Sequence, residues 1–109
     1  MHGLPRDARL LSGAAFQRVF ATRRVHGNAW FRMHYAPAEQ ARLGMAVARK
    51  VSGKAVVRNR IRRQIRESFR LNRLALAPMD YVILARPAAA ALDRAQLRHA
   101  LEQLWQRFI

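Results

Sequence analysis

AVVRNRIRRQIRE forms residues 55–67, and two side-chain patterns begin there and run on toward Arg73. Apolar residues recur at every fourth position and therefore share one side of a helix. They are Val57, Ile61, Ile65 and Phe69. Arginines recur at the same spacing in a second stripe, at Arg58, Arg62, Arg66 and Arg70. The stretch predicts one helix from Ala55 to Arg73, with its apolar side on a core and its basic side outward.

The positive charge of this helix is almost unopposed. Seven arginines lie between positions 58 and 73, and Glu67 is the only acid among them. Like charges three or four residues apart destabilise an isolated helix. A solvated charged face is the ordinary explanation of a basic helix, but it leaves this repulsion uncompensated. Phosphate groups would compensate it, so the helix is predicted to bind a nucleic acid.

The composition of the whole chain supports the same interpretation. The chain has 109 residues, which suits one domain spanning residues 1–109. It carries 21 Lys and Arg against 6 Asp and Glu, for a net charge of +15, and Lys50 and Lys54 are its only lysines. Arginine grips phosphate through a planar, bidentate fork, so a single RNA-binding domain is predicted.

Several other classes of protein are disfavoured. The chain has no cysteine, which excludes disulfides and thiolate metal sites and fits a reducing cytoplasm, the expected location. No apolar run is long enough to cross a membrane. A membrane-surface role is disfavoured because the basic residues are not confined to one amphipathic segment. The histidines lack metal-ligand spacing and the acids are scattered, so no catalytic or metal-binding residue is predicted in this chain.

The segments around the arginine helix predict a mixed sheet with helices packed on it. Ser12 is expected to cap a helix over 13–21, and a short extra strand fits residues 24–26. Strands are expected at 30–35 and 43–48, with residues 38–41 joining them as a hairpin.

Beyond the arginine helix, the pattern predicts one more strand and one more helix. Pro78 and Asp80 are expected to end the helical segment, and the apolar run 81–85 to form a buried strand. Asp93 is expected to cap a last helix with an apolar stripe. The stripe consists of Leu97, Leu101, Leu104 and Phe108.

Three groups of residues admit both a structural and a functional interpretation. Phe16 and Phe20 share a helix face, which suits either core packing or a stacking platform for unpaired bases. Trp30, Arg32 and His34 share one strand face, which suits either solvent exposure or contact with single-stranded RNA. Asn59 is either a tolerated surface residue or a hydrogen-bonding partner of RNA. Spacing alone does not separate these options.

Residues 55–67 resemble the signature of the bacterial ribonuclease P protein component. The similarity extends to residues 4–10, to Phe16 and Phe20, to residues 43–50 and to residues 80–86, and so covers nearly the whole chain. The Arg-Asn-Arg sequence at 58–60 is its most specific part.

The resemblance implies an α+β fold, an α/β sandwich. Its mixed four-stranded sheet and three helices follow the order αβββαβα, with a left-handed βαβ crossover through the arginine helix, an exception to the usual handedness. It implies a subunit of a ribonucleoprotein endonuclease that removes the 5′ leader of precursor tRNA. The RNA subunit performs the hydrolysis with magnesium ions bound mainly by RNA, and the protein needs no obligate protein partner.

The resemblance also implies roles for individual residues. Contacts with the RNA subunit are expected from Lys54, Arg58, Asn59, Arg60, Arg62, Arg63 and Arg66. Contacts with the leader are expected from Phe16, Phe20, Arg32, His34, Arg49, Lys50 and Arg86. Arg32 and His34 depart from the apolar or aromatic residues common in relatives, so a phosphate or hydrogen-bond contact is expected to replace base stacking there.

Two other functions remain compatible with the residue patterns alone. A ribosomal component or general RNA chaperone would bind varied RNAs without any dependence on a tRNA leader. A DNA-binding regulator would place the arginine helix in a major groove, and it would need sequence-specific duplex binding, usually as a dimer.

Overall fold

A computed structural model describes residues 4–10 and 12–109. In chain order, the described part contains α1 (Gly13–Ala21), β1 (Val25–Gly27), β2 (Phe31–Pro37), β3 (Arg42–Ala46), α2 (Ala55–Asn72), β4 (Met79–Ala85) and α3 (Arg94–Trp105). Short 3-10 turns lie at Arg6–Ala8, Pro87–Ala91 and Gln106–Phe108. The predicted order αβββαβα is confirmed.

The four strands form one mixed sheet in the order β1-β2-β4-β3. β2 runs antiparallel to β1 and to β4, whereas β3 runs parallel to β4. Because α2 connects the parallel strands β3 and β4, the predicted βαβ crossover through the arginine helix is confirmed. Its left-handed sense stays a prediction.

The hairpin predicted through residues 38–41 is wrong, because β4 lies between β2 and β3. Tyr81, Val82 and Ile83 of β4 are each 0% exposed, so both faces of this strand are covered. A strand that is apolar on both faces belongs in the interior of a sheet. β4 therefore takes an interior position beside β2 and leaves β3 at the edge. Residues 38–41 cross from one side of β4 to the other.

Asp80 also departs from its predicted role. It does not end a segment but lies within β4, where it is 0% exposed. A buried carboxylate without partners is costly, so its presence in a central strand requires cations nearby. These cations are described below.

The larger core lies between one face of the sheet and the helices α2 and α3. Ile61, Ile65 and Phe69 are each 0% exposed, whereas Val57 is only partly buried. Leu97, Leu101 and Leu104 of α3 are buried as predicted, and so is Phe108, which lies in the 3-10 turn after the helix. Trp105 Nε1 donates to Ser68 Oγ at 2.7 Å, which joins α3 to α2. Both predicted caps are observed. Ser12 Oγ accepts from Ala15 N, and Asp93 forms a capping box with Gln96.

The opposite face of the sheet carries α1 and a smaller apolar cluster. That cluster consists of Leu10, Val19, Ala36 and Val82, with Phe16 and Phe20 packed at its margin. Because α1 is only nine residues long, it covers part of this face and leaves the rest open. In the described ranges, no helix combines the length and apolar character needed to cross a membrane.

Candidate nucleic-acid interface

Strand register arranges the α1 face of the sheet in three rows that run across β2, β4 and β3. The first row is Ala36, Asp80 and Arg42, the second is His34, Val82 and Gly44, and the third is Arg32, Leu84 and Ala46. Side chains alternate between the faces of a strand, so every member of these rows points toward the α1 side. The first row contains an ion-pair cluster, the second supports the phenylalanines of α1, and the third forms the floor of a groove.

The first row holds α1 on the sheet through an ion-pair cluster. Asp80 Oδ1 accepts from Arg42 Nε at 2.7 Å, and its Oδ2 accepts from Arg42 Nη2 at 2.8 Å and from Arg18 Nη2 at 2.6 Å. The hydrogen bonds from Arg42 to Asp80 raise the pKa of that guanidinium. Two arginines thus neutralise the buried carboxylate, and Arg18 carries the connection to α1.

The second row supports the two phenylalanines of α1. A Cβ atom on Gly44 would lie 2.6 Å from Cζ of Phe16, so this close approach of ring to strand requires glycine. Phe20 packs edge-to-face on His34, with ring centroids 4.8 Å apart. Both phenylalanines are half-buried, which leaves part of each ring open to a ligand.

His34 is set to be neutral at physiological pH. Burial lowers the pKa of its imidazole, and the charge of Arg32 lowers it further. A neutral imidazole offers one donor and one acceptor nitrogen. His34 is therefore suited to a hydrogen bond with a base or sugar, whereas Arg32, which is exposed, is suited to phosphate.

The third row forms the floor of an open groove of about 310 Å³. This groove is lined by Arg32 of β2, Lys50 of the loop after β3 and Arg86, the first residue after β4. The remaining lining is apolar and consists of Ala46, Ala48, Leu84, Ala85 and Pro87. We call this the basic groove. Its three cations and alkyl floor, one row from the phenylalanines, suit a single strand of nucleic acid.

The predicted leader residues are thus largely brought together. Phe16 and Phe20 of α1 pack against the second row, which contains His34. The basic groove is lined by Arg32, Lys50 and Arg86. Arg49 is exposed in the loop beside Lys50 but is not part of the groove lining.

The arginines of α2 divide between two flanks of the helix. On the flank next to the loop 49–54, Arg58 Nη1 donates to Ser52 O at 2.9 Å. Arg62 donates to Asn59 Oδ1 at 2.8 Å and to Val47 O at 3.4 Å. These contacts hold two guanidinium groups in defined positions while leaving each with further donors.

The other flank of α2 faces the start of α3. Arg60 and Arg63 border a recess there together with Arg94 of α3. Arg66 and Lys54 complete the predicted set, with Arg66 half-buried and Lys54 exposed at the start of the helix. Glu67 pairs with Arg70 at 2.8 Å, and this hydrogen bond lowers the pKa of the Glu67 carboxyl. The negative charge of Glu67 is therefore compensated mainly by Arg70.

Four residues of this surface were not among those predicted from the sequence. Arg18, Arg42 and Asp80 form the cluster under α1, and Arg94 extends the basic surface of α2 onto α3. The sequence contains one indication of the cluster under α1. Asp80 alternates with Val82 and Leu84 in an apolar run of a chain that has only six acids. Such an acid requires a basic partner, although its identity depends on the fold.

The ranges 4–10 and 12–109 contain no group of three or more His, Asp or Glu side chains placed to hold a metal ion. The magnesium expected for the reaction thus has no evident ligand set in this part of the chain. Its assignment to the RNA subunit stays a prediction.

Comparison with known proteins identifies the family. A family model described as Ribonuclease P matches residues 4–109. The ribonuclease P protein component of Thioalkalivibrio sulfidiphilus is 39% identical over 107 residues, which cover 96% of this chain and 89% of the relative. That of Methylococcus capsulatus is 42% identical over 106 residues, with 95% and 83% covered.

Solved structures support the same assignment. The ribonuclease P protein of Staphylococcus aureus superposes with a TM-score of 0.83 at 29% identity, covering 89% of this chain and 91% of the other. That of Thermotoga maritima superposes with a TM-score of 0.80 at 28% identity, covering 93% and 97%. The chain belongs to the ribonuclease P protein family, whose members are protein components of the endoribonuclease complex of tRNA processing.

Proposed function

We propose that this chain binds the RNA subunit of ribonuclease P through α2 and binds the 5′ leader of precursor tRNA in the basic groove. The RNA subunit performs the hydrolysis in the cytoplasm, with magnesium bound mainly by that RNA. The protein holds the substrate. The observation that carries this proposal is the presence of two separate basic surfaces, one on α2 and one on the open face of the sheet.

The basic groove suits the leader because the leader is single-stranded. Arg32, Lys50 and Arg86 lie around an apolar floor, so their cations can contact successive phosphates while bases rest on alkyl or aromatic surface. Phe16 and Phe20 offer partly open rings one row away. A duplex offers no free base faces and would gain little from these rings.

The α2 surface suits a larger, structured RNA. Its contact set is Lys54, Arg58, Asn59, Arg60, Arg62, Arg63 and Arg66. These residues spread over both flanks of an 18-residue helix, and Arg58 and Arg62 are held by backbone carbonyls. A rigid array of cations fits phosphates that are themselves held in place by a folded RNA.

The decisive experiment separates the two surfaces in the reconstituted complex. One variant combines Arg32→Ala, Lys50→Ala and Arg86→Ala, and the other combines Arg58→Ala and Arg60→Ala. Affinity for precursor tRNA and for leaderless tRNA is measured against salt concentration, with Arg107→Ala as an exposed control on the other face of the sheet.

The groove variant is expected to lose the leader-dependent gain in affinity. Its salt slope should fall by roughly 0.7 per phosphate contact removed from a single strand. The α2 variant is expected to bind the RNA subunit more weakly and to retain the preference for a leader. Equal binding of leaderless and precursor tRNA by the unaltered complex would refute leader binding, and cleavage of precursor tRNA by the protein alone would refute the division of labour. Random RNA and duplex DNA as competitors test the RNA chaperone and DNA regulator alternatives.

A further inference from the structure

The proposal above treats Asn59, Arg60 and Arg63 as separate contacts for the RNA subunit. That proposal does not use the recess that they border between the N-terminal half of α2 and the start of α3. The recess is an open groove of about 500 Å³ lined by Val56, Asn59, Arg60, Arg63, Gln64 and Arg94. That volume lies within the range of about 300–1,000 Å³ that small-ligand sites occupy. Its lining includes no acidic side chain.

Gln64 is the unusual residue of this recess. Its side chain is 4% exposed, yet its amide oxygen has no hydrogen-bond partner among the residues that the structure describes. The Nε of Arg60, which borders the same recess, also lacks a partner within the described ranges. Buried polar groups are nearly always paired in folded proteins, so unpaired ones beside an opening point to a ligand.

The chemistry around Gln64 fits the edge of a nucleobase. The last torsion of a glutamine side chain is soft, so the amide can turn either its oxygen or its nitrogen toward the recess. A base edge offers the complementary acceptors and donors. Val56 is 71% exposed at the opening and provides an apolar surface for the face of a base.

The charge at the opening fits a phosphate. Arg63 and Arg94 are both exposed and approach the recess from different helices. A nucleotide whose base enters the recess would leave its phosphate at this rim, within reach of two guanidinium groups. A nucleotide in a duplex is excluded because its pairing edge is already occupied.

We infer that this recess binds one unpaired nucleotide of the RNA that lies along α2, with its base edge on the amide of Gln64 and its phosphate between Arg63 and Arg94. The inference rests on the proposed function, because the RNA subunit on α2 is the source of the nucleotide. It adds a site for a base to a surface otherwise assigned to phosphates.

The test uses 2′-hydroxyl acylation of the RNA subunit in complex with the full-length protein, since this reaction reports unpaired nucleotides of all four bases. Gln64→Leu removes the amide at similar volume, and Arg94→Ala removes one cation of the rim. Arg98→Ala, which removes an exposed arginine one turn further along α3 and outside the recess, is the matched control.

We expect one unpaired nucleotide to be protected by the unaltered protein and by Arg98→Ala, and to become reactive with Gln64→Leu. Affinity for the RNA subunit should fall about threefold to tenfold, the effect of one lost hydrogen bond. Arg94→Ala should weaken the same protection. Because Arg94 is exposed, this variant decides the question if Gln64→Leu fails to fold, which thermal unfolding will show.

Protection patterns and affinities equal to those of Arg98→Ala in both variants would overturn the inference. Failure of the proposed function looks different, because the unaltered protein would then protect no part of the RNA subunit along α2. The two failures are therefore distinguishable in the same experiment.

Discussion

The two faces of the sheet are built from the same four strands and differ in burial and in charge. The face toward α2 and α3 is apolar, and its side chains Phe31, Met33 and Ile83 are each 0% exposed. The face toward α1 carries Arg32, His34 and the buried Asp80, and only part of it is covered. One face supplies most of the apolar burial, and this leaves the other face free to carry charge, small residues and a groove.

The largest expected effect is a loss of stability when a side chain is removed from the apolar core between the sheet and α2. Phe69→Ala removes a fully buried ring that packs on Tyr81 and Trp105, and should lower the free energy of unfolding by about 3–5 kcal/mol. Leu74→Ala is the control, because Leu74 is 101% exposed and its loss should change stability by less than about 0.5 kcal/mol. Denaturant unfolding measures both. Equal destabilisation by the two variants would contradict the assignment of the core.

The second largest effect is expected at Asp80, whose carboxylate is buried on the sheet face toward α1. Asp80→Asn leaves Arg18 and Arg42 without their carboxylate and should cost about 2 kcal/mol, less than a fully buried pair because both arginines are partly exposed. Since Arg18 connects α1 to the sheet, binding of the leader should weaken as well. Glu39→Gln, an exposed acid nearby, is the control for charge. Unchanged stability and leader binding would show that the cluster does not hold α1.

A smaller effect is expected beneath Phe16. Gly44→Ala places a Cβ 2.6 Å from Cζ of Phe16, and the ring must move because the strand is held in the sheet. Phe16 is half-buried and can swing outward, so the cost should be about 1 kcal/mol, at the low end for overpacking. Leader affinity should change more than stability does. Gly13→Ala, with open space at its Cβ, is the matched control, and equal effects of the two substitutions on leader binding would contradict the close contact.

The smallest expected effect is a pH dependence from His26 and His34. Burial lowers the pKa of both imidazoles. The charge of Arg107 lowers the pKa of His26 further, and the charge of Arg32 does the same to the pKa of His34. The unfolded chain therefore binds more protons than the folded chain below the ordinary histidine pKa of about 6.5, so stability should fall as the pH drops from 7 to 5. Replacing both histidines with Asn should flatten this part of the curve. Denaturant unfolding at each pH measures the slope, and an identical slope in the double variant would show that these two histidines do not cause it.

Sequence patterns predicted the helices better than the sheet. A four-residue repeat places Ile61, Ile65 and Phe69 on one side of α2 through local geometry, and Ser12 and Asp93 cap helices through contacts three residues away. Strand pairing has no such local rule. Residues 31–37 and 42–46 are neighbours in the chain, but the more apolar β4 separates them in the sheet.

The same distinction applies to the candidate interface. The sequence by itself determined that a long amphipathic helix carries an uncompensated basic side, because both stripes follow from spacing within one segment. Only the tertiary structure decided that Arg32, Lys50 and Arg86 line one groove, and that Asp80 pairs with Arg18 and Arg42. It also placed Gln64 and Arg94 in the lining of one recess. Each of these groups joins residues far apart in the chain. Their proximity depends on strand order and helix packing, which minimise exposed apolar surface over the whole molecule.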